Sequence, residues 1–311
     1  MTALTEELKA VAGEGRVREH VPLGPLTTFG VGGPADWLVE PDSVEALQAV
    51  LRIATDSGEP VVLLGGGSNV LVADTGIRGV VVRPRLIGIS QPSSDRVRAE
   101  AGVTINGLVR WLIGRGLAGL EAWAGTPGTV GGAIHGNAHY VGRNISDHVI
   151  EVGLWAPNAG IIIVPASEMG FGYDTSRLFN TGEVVVWADF SATTGIPDRL
   201  RATARESLAH RKRTQPLNLP SAGCVFQNPQ PPLDRVPEGV PWSAGALVER
   251  AGLKGATEGA AAISTVHANF VVAGKGASAS DVRILIERAR DAVRLQCGVT
   301  LRDEIVYLGE W

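Results

Sequence analysis

The chain has 311 residues, 44% of them hydrophobic and 19% charged, which is the composition of a folded globular protein and argues against a disordered one. The net charge of −4 argues against a nucleic-acid-binding protein, and no apolar run approaches the roughly 20 residues that a membrane span needs. The length exceeds that of one ordinary core, so two or three compact units are expected.

Cysteine usage and the N-terminal residues indicate the compartment. Two cysteines far apart in sequence, Cys224 and Cys297, form neither a disulfide framework nor a metal-binding cluster. Residues 1–16 mix charged residues and glycine without the apolar core of a secretion signal. We therefore expect a cytoplasmic protein with no metal site, and we expect Cys297 to be structural.

The predicted elements alternate between helices and strands along the chain, after a polar segment, residues 1–20, that is expected to be peripheral. Four helices are expected from apolar residues at helical spacing that follow a residue able to cap the first turn. The predicted caps are Asp42, Thr104, Ser243 and Ser280. A further helix is expected over 199–213. Strands are expected over 96–101, 149–155, 161–164, 184–190, 265–273 and 301–309.

A glycine-rich loop, Gly65-Gly66-Gly67-Ser68-Asn69, follows an apolar run that predicts a buried strand. Three consecutive glycines add nothing to packing, so they indicate positive φ angles or the close approach of another group to the backbone. Such a turn can aim several N–H groups at a phosphate, although a glycine turn without any ligand is the equal alternative. No Gly-Lys-Ser/Thr sequence follows the glycines, which excludes a P-loop NTPase.

Two further stretches carry candidate functional residues. Residues 124–138 are dense in glycine, and the polar residues His135, Asn137 and His139 lie at their end. Isolated histidines in such a region are expected to be turn or packing residues. The basic run 211–213 ends the predicted helix over 199–213, where it either interacts with the helix dipole or contacts a diphosphate substrate. The sequence leaves these two interpretations open.

Six motifs in a fixed order then point to a known family. They are Thr27–Phe29 with Gly32–Ala35, Leu64–Asp74, Pro127–Gly132 with Asn137, Ser221–Pro229, His267–Phe270, and Glu304. Together they span about residues 20–310, and they resemble the UDP-N-acetylenolpyruvoylglucosamine reductases, flavin enzymes of bacterial cell-wall synthesis.

The resemblance implies an α+β protein with an FAD-binding fold of the vanillyl-alcohol-oxidase type, in two subdomains, and a C-terminal α+β substrate domain. The expected segments are 1–82, 83–200 and 201–311. FAD, held without a covalent bond, would accept electrons from NADPH and reduce the enolpyruvyl group of a UDP-sugar to give UDP-N-acetylmuramate. The residues expected to bind FAD are Gly65, Gly66, Gly67, Ser68, Asn69, Pro127, Gly128, Thr129, Gly131, Gly132 and Asn137.

The resemblance also implies catalytic residues. Cys224 stands where many members carry serine, and it is expected to donate a proton to the substrate, since a thiol is a far stronger acid than a hydroxyl. Glu304 is expected to stabilise the enolate. Asp174 stands where the family commonly has a catalytic arginine, and Arg177 is expected to replace that arginine. The residues expected to bind substrate are Tyr173, Arg211, Lys212, Gln227 and Asn228.

Two alternatives stay open at this point. Another FAD-dependent oxidoreductase or oxidase of the same fold often attaches its flavin covalently, and His135 or His139 would then be the candidate anchor. Neither histidine lies in a convincing attachment motif. The second alternative is a flavoprotein that binds a nucleotide sugar without catalysis, which the absence of arginine at position 174 favours. The presence of Cys224 and Glu304 argues against it.

Overall fold

The computed structural model describes residues 3–311, and their contacts divide the chain into two compact units. The first unit comprises residues 3–20, 36–66 and 79–210, and the second comprises residues 21–35, 67–78 and 211–311. The predicted division into segments 1–82, 83–200 and 201–311 stays a prediction. No helix within residues 3–311 combines the length and the apolar character that crossing a membrane requires.

The described residues form eight α-helices and eighteen β-strands. The helices are α1 (Ala3–Ala12), α2 (Val44–Asp56), α3 (Ile105–Gly114), α4 (Val130–His135), α5 (Leu178–Thr181), α6 (Pro197–Thr214), α7 (Ala244–Arg250) and α8 (Ala279–Cys297). The strands are β1 (Val17–Pro22), β2 (Pro34–Val39), β3 (Val61–Leu63), β4 (Val70–Val72), β5 (Ile77–Val82), β6 (Ile89–Ser93), β7 (Arg96–Glu100), β8 (Leu117–Ala118), β9 (His139–Tyr140), β10 (Arg143–Asn144), β11 (Val149–Ala156), β12 (Gly160–Pro165), β13 (Val184–Ser191), β14 (Thr193–Thr194), β15 (Thr257–Glu258), β16 (Ala261–Ile263), β17 (Val271–Ala273) and β18 (Val306–Leu308).

Helix caps follow the predicted chemistry, with two shifts in position. Thr104 and Ser243 cap α3 and α7 as predicted, and each side chain accepts a hydrogen bond from the first turn. The prediction of Asp42 was wrong by one residue, because the hydroxyl of Ser43 accepts from the N–H of Ala46 at 3.1 Å. The prediction of Ser280 was wrong by two residues, because Ser278 forms a reciprocal capping box at the start of α8.

The first unit is built on two sheets. A four-stranded sheet of order β1-β2-β5-β3 packs with α1 and α2, and its core includes the fully buried Leu8. The expectation that residues 1–20 are peripheral was therefore wrong for α1, whose apolar side chains join this core. The second sheet has the order β12-β11-β13-β7-β6, its strand pairs are antiparallel, and it packs with α3 and α4. This arrangement confirms four of the predicted strands.

The second unit packs α7 and α8 with a three-stranded sheet of order β15-β16-β17, and Cys297 is buried in its core. The predicted strand over 265–273 is shorter, since only residues 271–273 are in β17. The N–H of Phe270 donates to the carbonyl of His267 at 3.0 Å, which turns the preceding residues away from the sheet. The terminal strand is likewise confined to β18, which pairs in parallel with β4.

Asp74 anchors the start of α8 from outside the helix. Its carboxylate accepts hydrogen bonds from the N–H groups of Ala279 (2.8 Å) and Ser280 (2.9 Å) and from the hydroxyl of Ser280 (2.6 Å). Burial raises the pKa of Asp74, but these hydrogen bonds lower it by more, so the net pKa lies below the ordinary value. The ionised carboxylate also interacts favourably with the positive end of the helix dipole.

We expect Asp74→Ala to lower the free energy of unfolding by about 1 kcal/mol at pH 7, the usual cost of a lost helix cap. Because the pKa of Asp74 is lower in the folded protein, its contribution is present above the ordinary carboxyl pKa and disappears as the pH falls through the folded value. Urea unfolding at pH 7 and at pH 3 measures both effects. Asp291→Ala, which removes only an exposed pair with Arg294, is the control and should change stability little.

Candidate active site

The first unit contains a cavity of about 440 Å³ that lies between two glycine-containing loops. Its wall includes Gly65, Gly66, Gly128, Thr129, Arg83 and Arg85. Arg83 lines the cavity, and its guanidinium donates a hydrogen bond to Glu40 at 3.2 Å. Backbone N–H groups and arginine side chains are the groups that bind phosphate in proteins.

The two loops approach each other so closely that only glycine fits. A Cβ atom on Gly65 would lie 2.6 Å from Oγ1 of Thr129, and a Cβ atom on Gly66 would lie 2.7 Å from Cα of Gly128. Of the two explanations for the glycines, close approach therefore applies to Gly65 and Gly66. The resulting wall has exposed backbone and positive charge, so its residues fit the pyrophosphate of a dinucleotide such as FAD.

Other predicted cofactor residues have roles within the fold. Thr129 caps α4 by accepting from the N–H of Gly132 at 3.4 Å. Gly131 lies against Ala101, to whose carbonyl its N–H donates at 2.9 Å, so a side chain at position 131 would crowd the sheet. Asn137 is buried, and its amide donates to the carbonyl of Gly172 at 2.8 Å. These contacts leave the predicted binding of FAD by Pro127, Gly132 and their neighbours untested.

In the second unit, Gly67 has a φ of 62° and accepts from the N–H of Thr28 at 2.9 Å. Asn69, two residues later, bonds to the segment that carries Glu304. Its side-chain amide donates to the carbonyl of Glu304 at 2.9 Å, and its own carbonyl accepts from the N–H of Val306 at 2.9 Å. Gly67–Asn69 were predicted to bind FAD, and in this unit Asn69 fixes the backbone around a predicted catalytic residue.

Cys224 is half-buried. The residues that follow it pair with residues 302–304, which precede β18. The N–H of Glu304 donates to the carbonyl of Val225 at 2.9 Å, and the N–H of Gln227 donates to the carbonyl of Arg302 at 2.9 Å. The side chain of the adjacent Asp303 accepts a hydrogen bond from Arg290. The fold thus pairs Glu304 with Val225, the residue that follows Cys224.

Asn269 holds the Cys224 segment from its other side, and no functional role was predicted for it. Its side chain is buried; Nδ2 donates to the carbonyl of Phe226 at 2.7 Å and Oδ1 accepts from the N–H of Phe226 at 3.0 Å. Nδ1 of His267 accepts from the N–H of Asn269 at 3.2 Å, and burial lowers the pKa of His267, which favours the neutral ring needed for an acceptor. The motif His267–Phe270 was the signal for this site.

The segment that contains Tyr173 has two separate ion pairs. Arg177 donates to both carboxylate oxygens of Glu183 at 2.9 Å, and the side chain of Glu183 is only 7% exposed. This two-point pairing neutralises Arg177 and argues against its predicted catalytic role. Asp174 lies 2.9 Å from Nδ1 of His139, whose ring packs beside Tyr173 at 5.1 Å between centroids.

The predicted substrate-binding residues differ in exposure and contacts. Arg211 is buried, whereas Lys212 is exposed at the end of α6. The side chain of Asn228 accepts a hydrogen bond at 3.0 Å from the N–H of Ala244, the first residue of α7. It thus satisfies a donor at the start of the helix that Ser243 caps. Gln227 pairs through its backbone as described above. None of these contacts tests substrate binding.

Comparison with known proteins defines the family. Residues 215–308 match the family pattern described as "UDP-N-acetylenolpyruvoylglucosamine reductase, C-terminal domain", and residues 35–164 match an FAD binding domain. The UDP-N-acetylenolpyruvoylglucosamine reductase of Carboxydothermus hydrogenoformans is 38% identical over 296 residues, 94% of each chain. That of Halalkalibacterium halodurans is 36% identical over 311 residues, the full length of both. The chain belongs to the UDP-N-acetylenolpyruvoylglucosamine reductase family.

A solved structure agrees with this assignment. The crystal structure of the UDP-N-acetylenolpyruvylglucosamine reductase from Thermus caldophilus has a TM-score of 0.78 to this chain, 31% sequence identity, and covers 94% of this chain and 99% of its own. As a member of this reductase family, the chain is an FAD-dependent oxidoreductase of peptidoglycan precursor synthesis. The predicted family, the FAD-binding α+β fold with a further C-terminal domain, and the enzyme class are confirmed.

We expect Gly66→Ala to weaken FAD binding, because the new Cβ would push the two loops of the cavity apart. Overpacking of this kind costs about 1–3 kcal/mol, which corresponds to a Kd for FAD raised about 5- to 150-fold. Flavin absorbance of the desalted protein and titration of the apoprotein with FAD measure the change. Gly114→Ala, at a helix end with no atom within 4 Å of the new Cβ, is the control and should bind FAD normally.

We expect Asn269→Ala to lower the free energy of unfolding by about 2–4 kcal/mol, because the buried N–H and carbonyl of Phe226 lose their partners. The Cys224 segment should also loosen, so its thiol should react faster with a disulfide reagent in the native protein. Denaturant unfolding and thiol labelling measure the two effects. Asn218→Ala, in an exposed loop, is the control; equal thiol reactivity in all three proteins would contradict the assigned role of Asn269.

Proposed function

We propose that the chain reduces UDP-N-acetylglucosamine enolpyruvate to UDP-N-acetylmuramate with NADPH as the electron donor. The observation that carries this proposal is the pairing of the Cys224 segment with the Glu304 segment in the second unit. A thiol and a carboxylate on adjacent backbones are the proton donor and the charge-stabilising group that reduction of an enolpyruvyl double bond requires.

FAD, when bound, supplies electrons taken from NADPH to the double bond of the substrate. The cavity of the first unit supports a role for Gly65, Gly66, Gly128 and Thr129 in holding the cofactor's pyrophosphate, with Arg83 adding positive charge. These residues act on the cofactor by position and electrostatics, because their backbone N–H groups are fixed by the fold before the cofactor arrives.

In the proposed mechanism Cys224 protonates the carbon next to the one that is reduced. The S–H bond breaks, the proton forms a new C–H bond, and the resulting thiolate recovers a proton from water. Glu304 stabilises the enolate by sharing a proton with it. The backbone bonds from Asn69 and Asn269 hold both residues in place and so reduce the reorganisation that accompanies the proton transfer.

Substrate recognition completes the proposal. We assign Tyr173, Gln227 and Asn228 to the substrate, and Arg211 with Lys212 to its diphosphate, since charge-assisted hydrogen bonds to phosphate are the strong ones. We further propose a cytoplasmic location, because a reducing compartment keeps Cys224 as a thiol.

The contacts of the two candidate anchor histidines support noncovalent FAD. The ring of His135 packs against Phe179 at 4.2 Å between centroids, and burial lowers its pKa. His139 is paired with Asp174. An oxidase with covalently attached flavin would need one of these rings as a nucleophile, so retention of the flavin by the denatured protein would favour that alternative.

We expect the purified protein to show oxidised-flavin absorbance that bleaches with NADPH without oxygen and returns on addition of the enolpyruvyl substrate. Cys224→Ala should bleach normally, but its absorbance should return about 10²- to 10⁴-fold more slowly, the usual contribution of a general acid. Cys224→Ser keeps a weaker acid in place, so its absorbance should return at a rate between those of the wild type and Cys224→Ala. Stopped-flow absorbance measures each step.

Glu304→Gln, which keeps the size of the side chain, is the companion variant. It should also slow only the return of flavin absorbance and leave the bleaching by NADPH unchanged. Wild-type absorbance that bleaches but does not return would overturn the proposed substrate while leaving FAD reduction in place. A Cys224→Ala variant that returns at the wild-type rate would remove Cys224 as the proton donor.

A further inference from the structure

Two loops of the first unit, residues 135–141 and 172–177, are joined by three side-chain contacts, and we call them the paired loops. The hydroxyl of Ser176 donates to the carbonyl of His135 at 2.6 Å, and the amide of Asn137 donates to Gly172 at 2.8 Å. The third contact is the pair of His139 Nδ1 with Asp174 at 2.9 Å. Three contacts between two short loops fix the position of the His139 ring.

The paired loops also contain unusual backbone conformations. Asn137, Val141 and Asp174 have φ angles of 46°, 49° and 53°, in the left-handed region that favours glycine. Asparagine and aspartate tolerate this region, but a β-branched residue such as Val141 is an outlier there. Val141 lies in the two-residue turn between β9 and β10, and β9 begins with His139. Strain of this kind persists at functional sites, where the surrounding contacts over-determine the conformation.

The carboxylate of Asp174 defines how His139 is oriented. The Asp174 side chain is 11% exposed, and its Oδ2 atom is buried without a hydrogen-bond partner among residues 3–311. An ionised carboxylate only accepts hydrogen bonds, so Nδ1 of His139 carries the proton that the two share. The contact with Asp174 thereby orients the ring of His139 through Nδ1.

The other two basic groups of the paired loops have different surroundings. Glu183 binds Arg177 through both carboxylate oxygens. His135 packs against Phe179, and burial lowers its pKa, which keeps its ring neutral. His139 differs from Arg177 in having a ring that can change its charge, and from His135 in having a carboxylate partner, Asp174.

Resting on the proposed function, we propose that His139 and Asp174 form the charge-stabilising pair of the reductive step. The His139 imidazolium stabilises the negative charge that develops on the carboxyl-bearing end of the substrate as its double bond is reduced. Asp174 is a positioning residue, which orients the ring through Nδ1 and balances its charge. This assigns the charge-stabilising role predicted for Arg177 to an imidazole that the fold holds in place.

The test separates the two steps of the flavin reaction. We expect His139→Ala to keep its bound FAD and its rate of bleaching by NADPH, while the return of absorbance with saturating enolpyruvyl substrate slows roughly 10²- to 10³-fold, the cost of losing one such donor. His139→Gln, which keeps a hydrogen-bonding side chain without the charge, should also be slow. Asp174→Asn should be intermediate. The exposed His20→Ala is the control and should behave as the wild type.

Added imidazole distinguishes charge stabilisation from a structural role. It should restore part of the lost rate to His139→Ala in a saturable manner and should not affect His20→Ala. Equal slowing of the bleaching and return steps without rescue would assign His139 to structure and overturn the inference. A wild-type rate of return in His139→Gln would also overturn it and leave the proposed function intact. If the flavin absorbance of the wild type itself does not return with the enolpyruvyl substrate, the proposed function is overturned.

Discussion

The second unit depends on the buried side-chain amide of Asn269. This amide bonds to the backbone of Phe226 in the way that a neighbouring strand would. By satisfying both the N–H and the carbonyl of that residue, it lets an irregular segment run through the core without unpaired polar groups. The other edge of the segment then pairs with residues 302–304. The thiol of Cys224 and the carboxylate of Glu304 thus lie on two irregular segments. Hydrogen bonds fix the backbone of each segment although neither is a regular strand at this point.

The first unit meets a different constraint, which is the distance between two loops. Gly66 and Gly128 approach so closely that no side chain fits between them, and both glycines line the cavity. A cofactor phosphate is recognised best by such preformed donors, because binding then requires little reorganisation. Side chains in the same unit, including Thr129 and Asn137, support the loops, so the predicted cofactor-binding motif also contributes to the packing of the fold.

Three ion pairs involve predicted site residues or their neighbours in the chain. Arg177 is paired with Glu183, Asp303 with Arg290, and Asp174 with His139. In the first two pairs an arginine neutralises a carboxylate, whereas the third joins a carboxylate to a ring that can change its charge. In the proposed mechanism this ring supplies the positive charge that an arginine at position 174 commonly supplies in the family.

The sequence by itself determined the family, the FAD-binding α+β fold and the elements with strong local signals, such as α3 capped by Thr104 and the strands β11 to β13. Capping and alternation act over a few residues, so they can be read from the chain alone. The tertiary structure decided which side chains meet: Asn269 with Phe226, Arg177 with Glu183, and His139 with Asp174. The hairpins β9–β10 and β11–β12 lie between positions 139 and 174, and no local pattern records a contact between residues so far apart. The same reason applies to Leu8, whose burial depends on a sheet formed by later residues.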